Sequence, residues 1–312
     1  MLKNGLKKEF MLFSRTGKLI GVILVILIFS VMDPIMFKGM GAMVGAMANS
    51  IPAESGAELT EYMQTVQDMA SMFEGFSASY LVATSIAEVT GLGLIILMFI
   101  LMSAAGGEQK KRSVIIPRCA GLTPAGYIAP KFLIYPLSAL LLSVLGVYLS
   151  AGVSSLLFGG SLDMGKISLA ALCLGVYMAF ISVLQLTIGI CTGKPGVSVI
   201  IVIIAASIIP VILSSLRVDR FNPFALTGIA SNAAISAGGE AEAVGAVSEA
   251  AGGSFTSISA MMESLSASAE VDGLNLAVSV GVTVVISVIL YFMTLFVLTA
   301  RQVKNEGNEP VL

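Results

Sequence analysis

The chain has 312 residues, of which 56% are hydrophobic and only 12% are charged, whereas soluble domains usually carry about a quarter charged residues. Most of its surface must therefore face something other than water, and a net charge of −2 argues against a nucleic-acid partner. The absence of histidine excludes Ser-His and Cys-His nucleophiles and histidine-ligated metals, and the three cysteines lack the spacing of a metal site or a disulfide framework.

Residues 1–16 predict an amphipathic helix that lies along the inner membrane surface. A basic tail that only fixes the topology is the alternative. The apolar run that follows is long and lacks a small-residue cleavage site, so we interpret it as a retained first span rather than a signal peptide. The apolar side chains of the predicted helix form one line, away from its basic residues: Leu2, Leu6, Phe10 and Phe13.

Six apolar stretches approach or reach the ~20 residues that a membrane-spanning helix needs. Only the turn Thr192–Pro195 separates the fourth stretch from the fifth, which predicts an antiparallel helical hairpin. The predicted fold class is an all-α, polytopic membrane helix bundle, with residues 1–312 forming one transmembrane domain. The stretches are Gly17–Phe37, Ser85–Ala105, Phe132–Leu149, Ile167–Cys191, Gly196–Leu216 and Leu274–Ala300.

The connections at residues 38–84 and 217–273 are predicted outer loops, and a capping box at Ser55–Glu58 begins an amphipathic helix in the first. Lysine and arginine set the orientation: thirteen lie at the termini and in the loops on the N-terminal side, and four lie on the other side. Because cytoplasmic segments carry the excess, we expect a multi-pass protein of the cytoplasmic (inner) membrane with both termini in the cytoplasm.

Few polar groups interrupt the predicted spans. Glu88 lies near the outer end of the second span and Asp33 at the outer end of the first. Each is either an interfacial carboxylate or a polar group on a substrate route. Gln185, in the fourth span, is a further candidate for that route, although a neutral amide also serves to hydrogen-bond helices together.

No segment has the pattern of a nucleotide site. Gly189–Pro195 departs from the phosphate loop in its spacing, in its final proline and in its flanking transmembrane helices. We therefore expect no catalytic site, metal or cofactor on this chain.

The most informative stretch is the cytoplasmic segment 106–131, in which five of 26 residues are basic. Thr123 can cap a short helix that has Pro124 at its first position. This predicts a short helical element lying roughly parallel to the membrane. A loop that only carries positive charge is the alternative interpretation.

This layout resembles the permease subunit of type-2 ABC exporters. In that family an interfacial helix precedes the first span. An E-x-E-x-G-T-like motif, a P-[LV]-S-like turn and a G-K pair then lead from the second span to the third. Glu108 and Ser113 match the first motif, whereas Lys110 and Arg112 depart from it.

The later part of the segment matches at Thr123, Pro124 and Lys131, although Pro130 stands where glycine is usual. The turn Asn222–Phe224 is also similar to one in the family. The resemblance implies that the segment is a coupling element that docks on an ATPase. The residues implied in that coupling are Glu108, Lys110, Arg112, Ser113, Gly121, Thr123, Pro124 and Lys131.

The resemblance thus implies a transmembrane subunit of an ATP-driven exporter. ATP and magnesium would bind a separate cytoplasmic ATPase subunit. A second permease, identical or related, would complete the substrate route within membrane lipid. Two alternatives stay open: a secondary transporter or channel, which predicts inverted repeats or membrane-embedded charges, and a membrane scaffold or intramembrane enzyme.

Overall fold

The computed structural model of the chain describes residues 2–50, 65–66, 73, 76–104, 123–215, 222–238 and 273–306. Across these ranges the chain is helical and forms no strand. Six of the described helical segments are long and apolar enough to cross a membrane. The predicted fold class, an all-α polytopic bundle of six spans, is confirmed.

A short N-terminal helix, α1, precedes the first span, and the second span contains a π-helical turn, Val89–Gly93, between two α-helices. A 3-10 turn, Pro223–Ala225, and a short helix lie between the fifth and sixth spans. The helices are α1 (Leu2–Arg15), α2 (Lys18–Ser50), α3 (Ala78–Glu88), α4 (Leu94–Leu101), α5 (Pro124–Phe158), α6 (Met164–Thr192), α7 (Pro195–Ser215), α8 (Leu226–Ser236) and α9 (Gly273–Glu306).

The fourth span, α6, is the centre of the described bundle. Helices α5, α7, α8 and α9 all pack against it, and α2 and α3 pack against α5. Lipid tails are as apolar as leucine, so close packing, small residues and hydrogen bonds must hold such helices together. We call the end of the bundle that carries α1 and the start of α5 the N-terminal face.

The helix α8 lies within the predicted outer loop 217–273, yet it packs against the spans. At its start, the Phe224 ring contacts the rings of Tyr177 and Phe180, roughly 20 Å along α6 from its first residue. At its end, Lys166 Nζ donates to Ser236 O at 2.8 Å, near the first turn of α6. The chain therefore re-enters the bundle to about half its depth.

Candidate functional site

Two carboxyl groups meet inside the bundle. Asp33 of α2 and Glu88 of α3 lie close enough for their carboxyl groups to interact, and Thr84 lies beside Asp33. Asp33 is only 4% exposed. One oxygen of each carboxyl group has no hydrogen-bond partner among the described residues. Two ionised carboxylates repel each other in such surroundings, so this carboxyl pair is favourable when it holds a proton or a cation.

Glu88 lies deeper in its span than the sequence predicted. The helix begins at Ala78 instead of residue 85, so Glu88 is its eleventh residue rather than a residue of its outer end. Ser77 caps this earlier start by accepting a hydrogen bond from Tyr80 N at 3.2 Å. Polar residues near this start lower the local hydropathy, which is why the apolar stretch marked a later beginning.

The π-helical turn Val89–Gly93 begins immediately after Glu88. Such turns are rare within α-helices and occur frequently at functional sites. The second span therefore changes its helical register at the residue that carries its carboxyl group. The sequence did not predict this irregularity, although two of the five residues in the turn are glycines.

A small serine-lined pocket lies beside the carboxyl pair. Ser30 and Ser85, each one helical turn before a member of the pair, line it together with Ser143 and Ser150. Ser150 Oγ donates to Ser85 Oγ at 3.0 Å. The buried Ser143 hydroxyl has no partner among the described residues. The pocket, of roughly 10 Å³, has room for one water molecule.

Gln185 joins two spans. Its Nε2 donates to the backbone oxygen of Met98 at 2.6 Å, and the side chain is fully buried. This bond is what a neutral amide within a membrane bundle is expected to make. Met98 lies ten residues beyond Glu88 in the same span, about 15 Å along the helix axis. The structure therefore does not bring Gln185 and Glu88 into one site.

An apolar groove of about 510 Å³ opens between α1, α5, α6 and α9. Two of its few polar residues, Thr283 and Ser287, donate their hydroxyl groups to backbone oxygens one turn earlier in α9. The groove thus offers apolar contact and little hydrogen bonding, which suits a hydrocarbon chain better than a polar ligand.

At the N-terminal face, Thr123 caps the third span. Its Oγ1 accepts a hydrogen bond from Gly126 N at 3.2 Å, and Pro124 is the first helical residue. The predicted cap is confirmed, but the prediction of a separate short helix is wrong. The capped turn continues as α5 to Phe158, with Pro130 and Pro136 inside the helix.

Lys131 does not face outward from this segment. It is 1% exposed, and its Nζ lies 3.1 Å from Glu9 Oε1 of α1. Its ammonium group therefore has a partner within the chain. The other residues implied in coupling lie outside the described residues: Glu108, Lys110, Arg112, Ser113 and Gly121.

The sequence did not single out Glu9, because it follows Lys7 and Lys8 and looks like part of a solvated charged face. The sequence does place Glu9 on the same face of the helix as Gly5 and Phe13, because the three residues recur every four positions. This spacing could have indicated that Glu9 faces another helix. In the described part of the chain, no group of three or more His, Cys, Asp or Glu side chains is placed to hold a metal ion.

The described helices define a polytopic α-helical membrane protein. No protein-family model, curated protein or solved structure matches the chain.

Proposed function

We propose that the chain is the transmembrane permease subunit of an ATP-driven exporter of the type-2 ABC kind. A separate cytoplasmic ATPase binds ATP and magnesium, and a second permease, identical or related, completes the substrate route. In this proposal the N-terminal face is cytoplasmic and the membrane is the cytoplasmic (inner) membrane. The chain transports and has no catalytic site of its own.

The observation that carries the proposal is the length and continuity of α5. Its 35 residues make a helix about 52 Å long, whereas the hydrocarbon core of a bilayer is about 30 Å thick. Even with a strong tilt, α5 extends beyond the core. Its capped start lies within the segment 106–131, which resembles the family's coupling element. Motion imposed on that segment would reach the opposite side through one continuous helix.

The charge distribution supports the orientation and yields a first prediction. In a variant that keeps only Cys119, a membrane-impermeant thiol reagent should label the protein in inside-out vesicles and not in intact cells. Cysteines placed at Ser55 or Ser248 in a cysteine-free background should show the reverse. Labelling of Cys119 in intact cells would overturn the orientation.

The ATPase partner yields a second prediction. The purified chain should hydrolyse no ATP, because its sequence contains no nucleotide motif. Mild affinity purification of the tagged chain from its native host should recover a soluble ATPase together with it. Recovery of the chain with no ATPase, under conditions that preserve other membrane complexes, would count against the proposal.

The carboxyl pair favours a second candidate function, an ATP-independent transporter driven by a proton or cation gradient. Asp33 and Glu88 belong to different spans and lie close to each other, with Asp33 almost fully buried and Glu88 partly buried. Membrane-embedded carboxyl groups mark ion pathways in pumps and transporters. Liposomes that contain only this chain distinguish the two candidates. An imposed proton or sodium gradient should leave their contents unchanged if ATP is required, whereas ion uptake that Glu88→Gln abolishes would favour the second candidate.

A further inference from the structure

The N-terminal helix docks along the start of the third span through residues that recur at one spacing. Gly5, Glu9 and Phe13 lie four residues apart on α1 and meet successive turns of α5. The first contact is a close one. A Cβ atom on Gly5 would lie 3.1 Å from both Gly126 O and Pro130 Cγ. A side chain at this position would push α1 away from α5.

The central contact is an ion pair shut away from solvent. Glu9 Oε1 lies 3.1 Å from Lys131 Nζ, and the two side chains are almost completely buried. The Lys131 ammonium group also lies 5.1 Å from the centroid of the Tyr127 ring. The cost of desolvating two charges offsets much of their attraction, so such a pair adds little net stability. The pair instead fixes the position of α1 on α5, because any other position of α1 would separate the two buried charges.

The third contact joins α1, α2 and α5. The Phe13 ring packs edge-on against the Tyr135 ring with centroids 5.2 Å apart. Lys18, at the start of α2, places its Nζ 5.7 Å from the centroid of the same Tyr135 ring. The end of α1, the start of the first span and the fourth turn of the third span therefore meet at one aromatic residue.

We infer that Glu9 and Lys131 are positioning residues that clamp α1 to α5, so that α1 and the first and third spans move as one body at the N-terminal face. The coupling segment 106–131 includes the first turns of α5, so a displacement of this segment would move α2 as well. The effect of the clamp on export rests on the proposed function, whereas the clamp itself is a property of this chain.

Hydrogen exchange of the full chain in lipid nanodiscs tests the clamp. Lys131→Met removes the cation that faces the buried Glu9 carboxylate, and Glu9→Gln removes the negative charge that faces Lys131, so amide exchange in α1 should rise about tenfold or more. Glu9→Leu combined with Lys131→Met removes both charges and should restore most of the protection. Lys8→Gln, which neutralises an exposed charge on the same helix, should leave the exchange unchanged. Unchanged α1 exchange in both single variants would overturn the clamp.

A second measurement tests its role in transmission and uses the complex with the ATPase. A fluorophore on Leu156→Cys, in a cysteine-free background, reports on the far end of α5, where this side chain is 85% exposed. ATP with vanadate should change its emission in the parent complex. In Lys131→Met the change in emission should fall by at least about half, while vanadate trapping on the ATPase persists. The double variant Glu9→Leu with Lys131→Met should regain the change in emission.

The two measurements separate the clamp from the proposed function. Loss of α1 protection with a normal signal at position 156 would overturn the role in transmission. If no ATPase accompanies the chain but α1 exchange responds as expected, the proposed function and the role in transmission fail together while the clamp stands.

Discussion

Replacing Gly146 with alanine should destabilise the protein, even though alanine favours a helix more than glycine does. A Cβ atom on Gly146 of α5 would lie 2.5 Å from Ile26 Cγ2 and 2.7 Å from Ser30 Oγ, both on α2. The Ser30 hydroxyl can rotate, but the branched Ile26 side chain is stiff within a helix. Overpacking costs about 1–3 kcal/mol, whereas the gain in helix propensity is at most ~1 kcal/mol. The cost of overpacking should therefore exceed the gain in helix propensity, and the variant should be less stable.

Gly152 provides a matched control on the same helix, because a Cβ atom there meets nothing within 4 Å. Gly152→Ala should be neutral or slightly stabilising. The measurement is the fraction of purified protein that stays monodisperse after heating in detergent, followed by size-exclusion chromatography. Adding Ile26→Ala to Gly146→Ala should recover part of the loss. Equal heat resistance of the two glycine variants would show that α2 and α5 do not approach this closely.

The sequence was sufficient to predict the spans, because a run of about 20 apolar residues is a local property that the bilayer itself requires. It was insufficient for their ends. The start of α3 depends on a cap at Ser77, and α5 begins at Pro124 and continues through Pro130 and Pro136. Proline within a sequence predicts a break, but packing against neighbouring helices allows a membrane helix to continue.

The contacts between spans could not be predicted, because they depend on how distant helices face one another. Asp33 and Glu88 were each predicted to be either an interfacial carboxylate or a polar group on a substrate route, and their proximity follows only from the packing of α2 against α3. Lys131 matches a family motif that implies contact with an external partner, whereas in the structure it pairs with Glu9. Hydropathy describes how each helix meets lipid and carries little information about which polar groups meet inside.

Replacing Thr123 and Pro124 together with glycines should uncouple the proposed exporter without preventing membrane insertion. The Thr123 hydroxyl accepts a hydrogen bond from Gly126 N, and Pro124 fixes the first turn of α5. Glycine in place of the capping threonine costs only a few tenths of a kcal/mol. Loss of the proline ring adds about 0.4–1 kcal/mol, so the two changes together cost about 1 kcal/mol. A loss of about 1 kcal/mol lowers the ratio of ordered to frayed conformations by a factor of roughly 5. The fraying should stop before Lys131, which is held by Glu9.

The measurement is the ATP-driven change in the emission of a fluorophore on Leu156→Cys in the reconstituted complex. Protease accessibility checks that the variant inserts normally. Thr123→Ser keeps the capping hydroxyl and should behave like the parent, whereas the double-glycine variant should retain ATP hydrolysis and lose most of the response. The double-glycine variant keeps Glu9 and Lys131 and changes no charge. It therefore tests the rigidity of the first turn of α5 separately from electrostatic attraction between the segment and the ATPase. If the double-glycine variant inserts normally and responds fully, the segment before α5 acts only as a positively charged loop, because a frayed first turn cannot transmit a displacement.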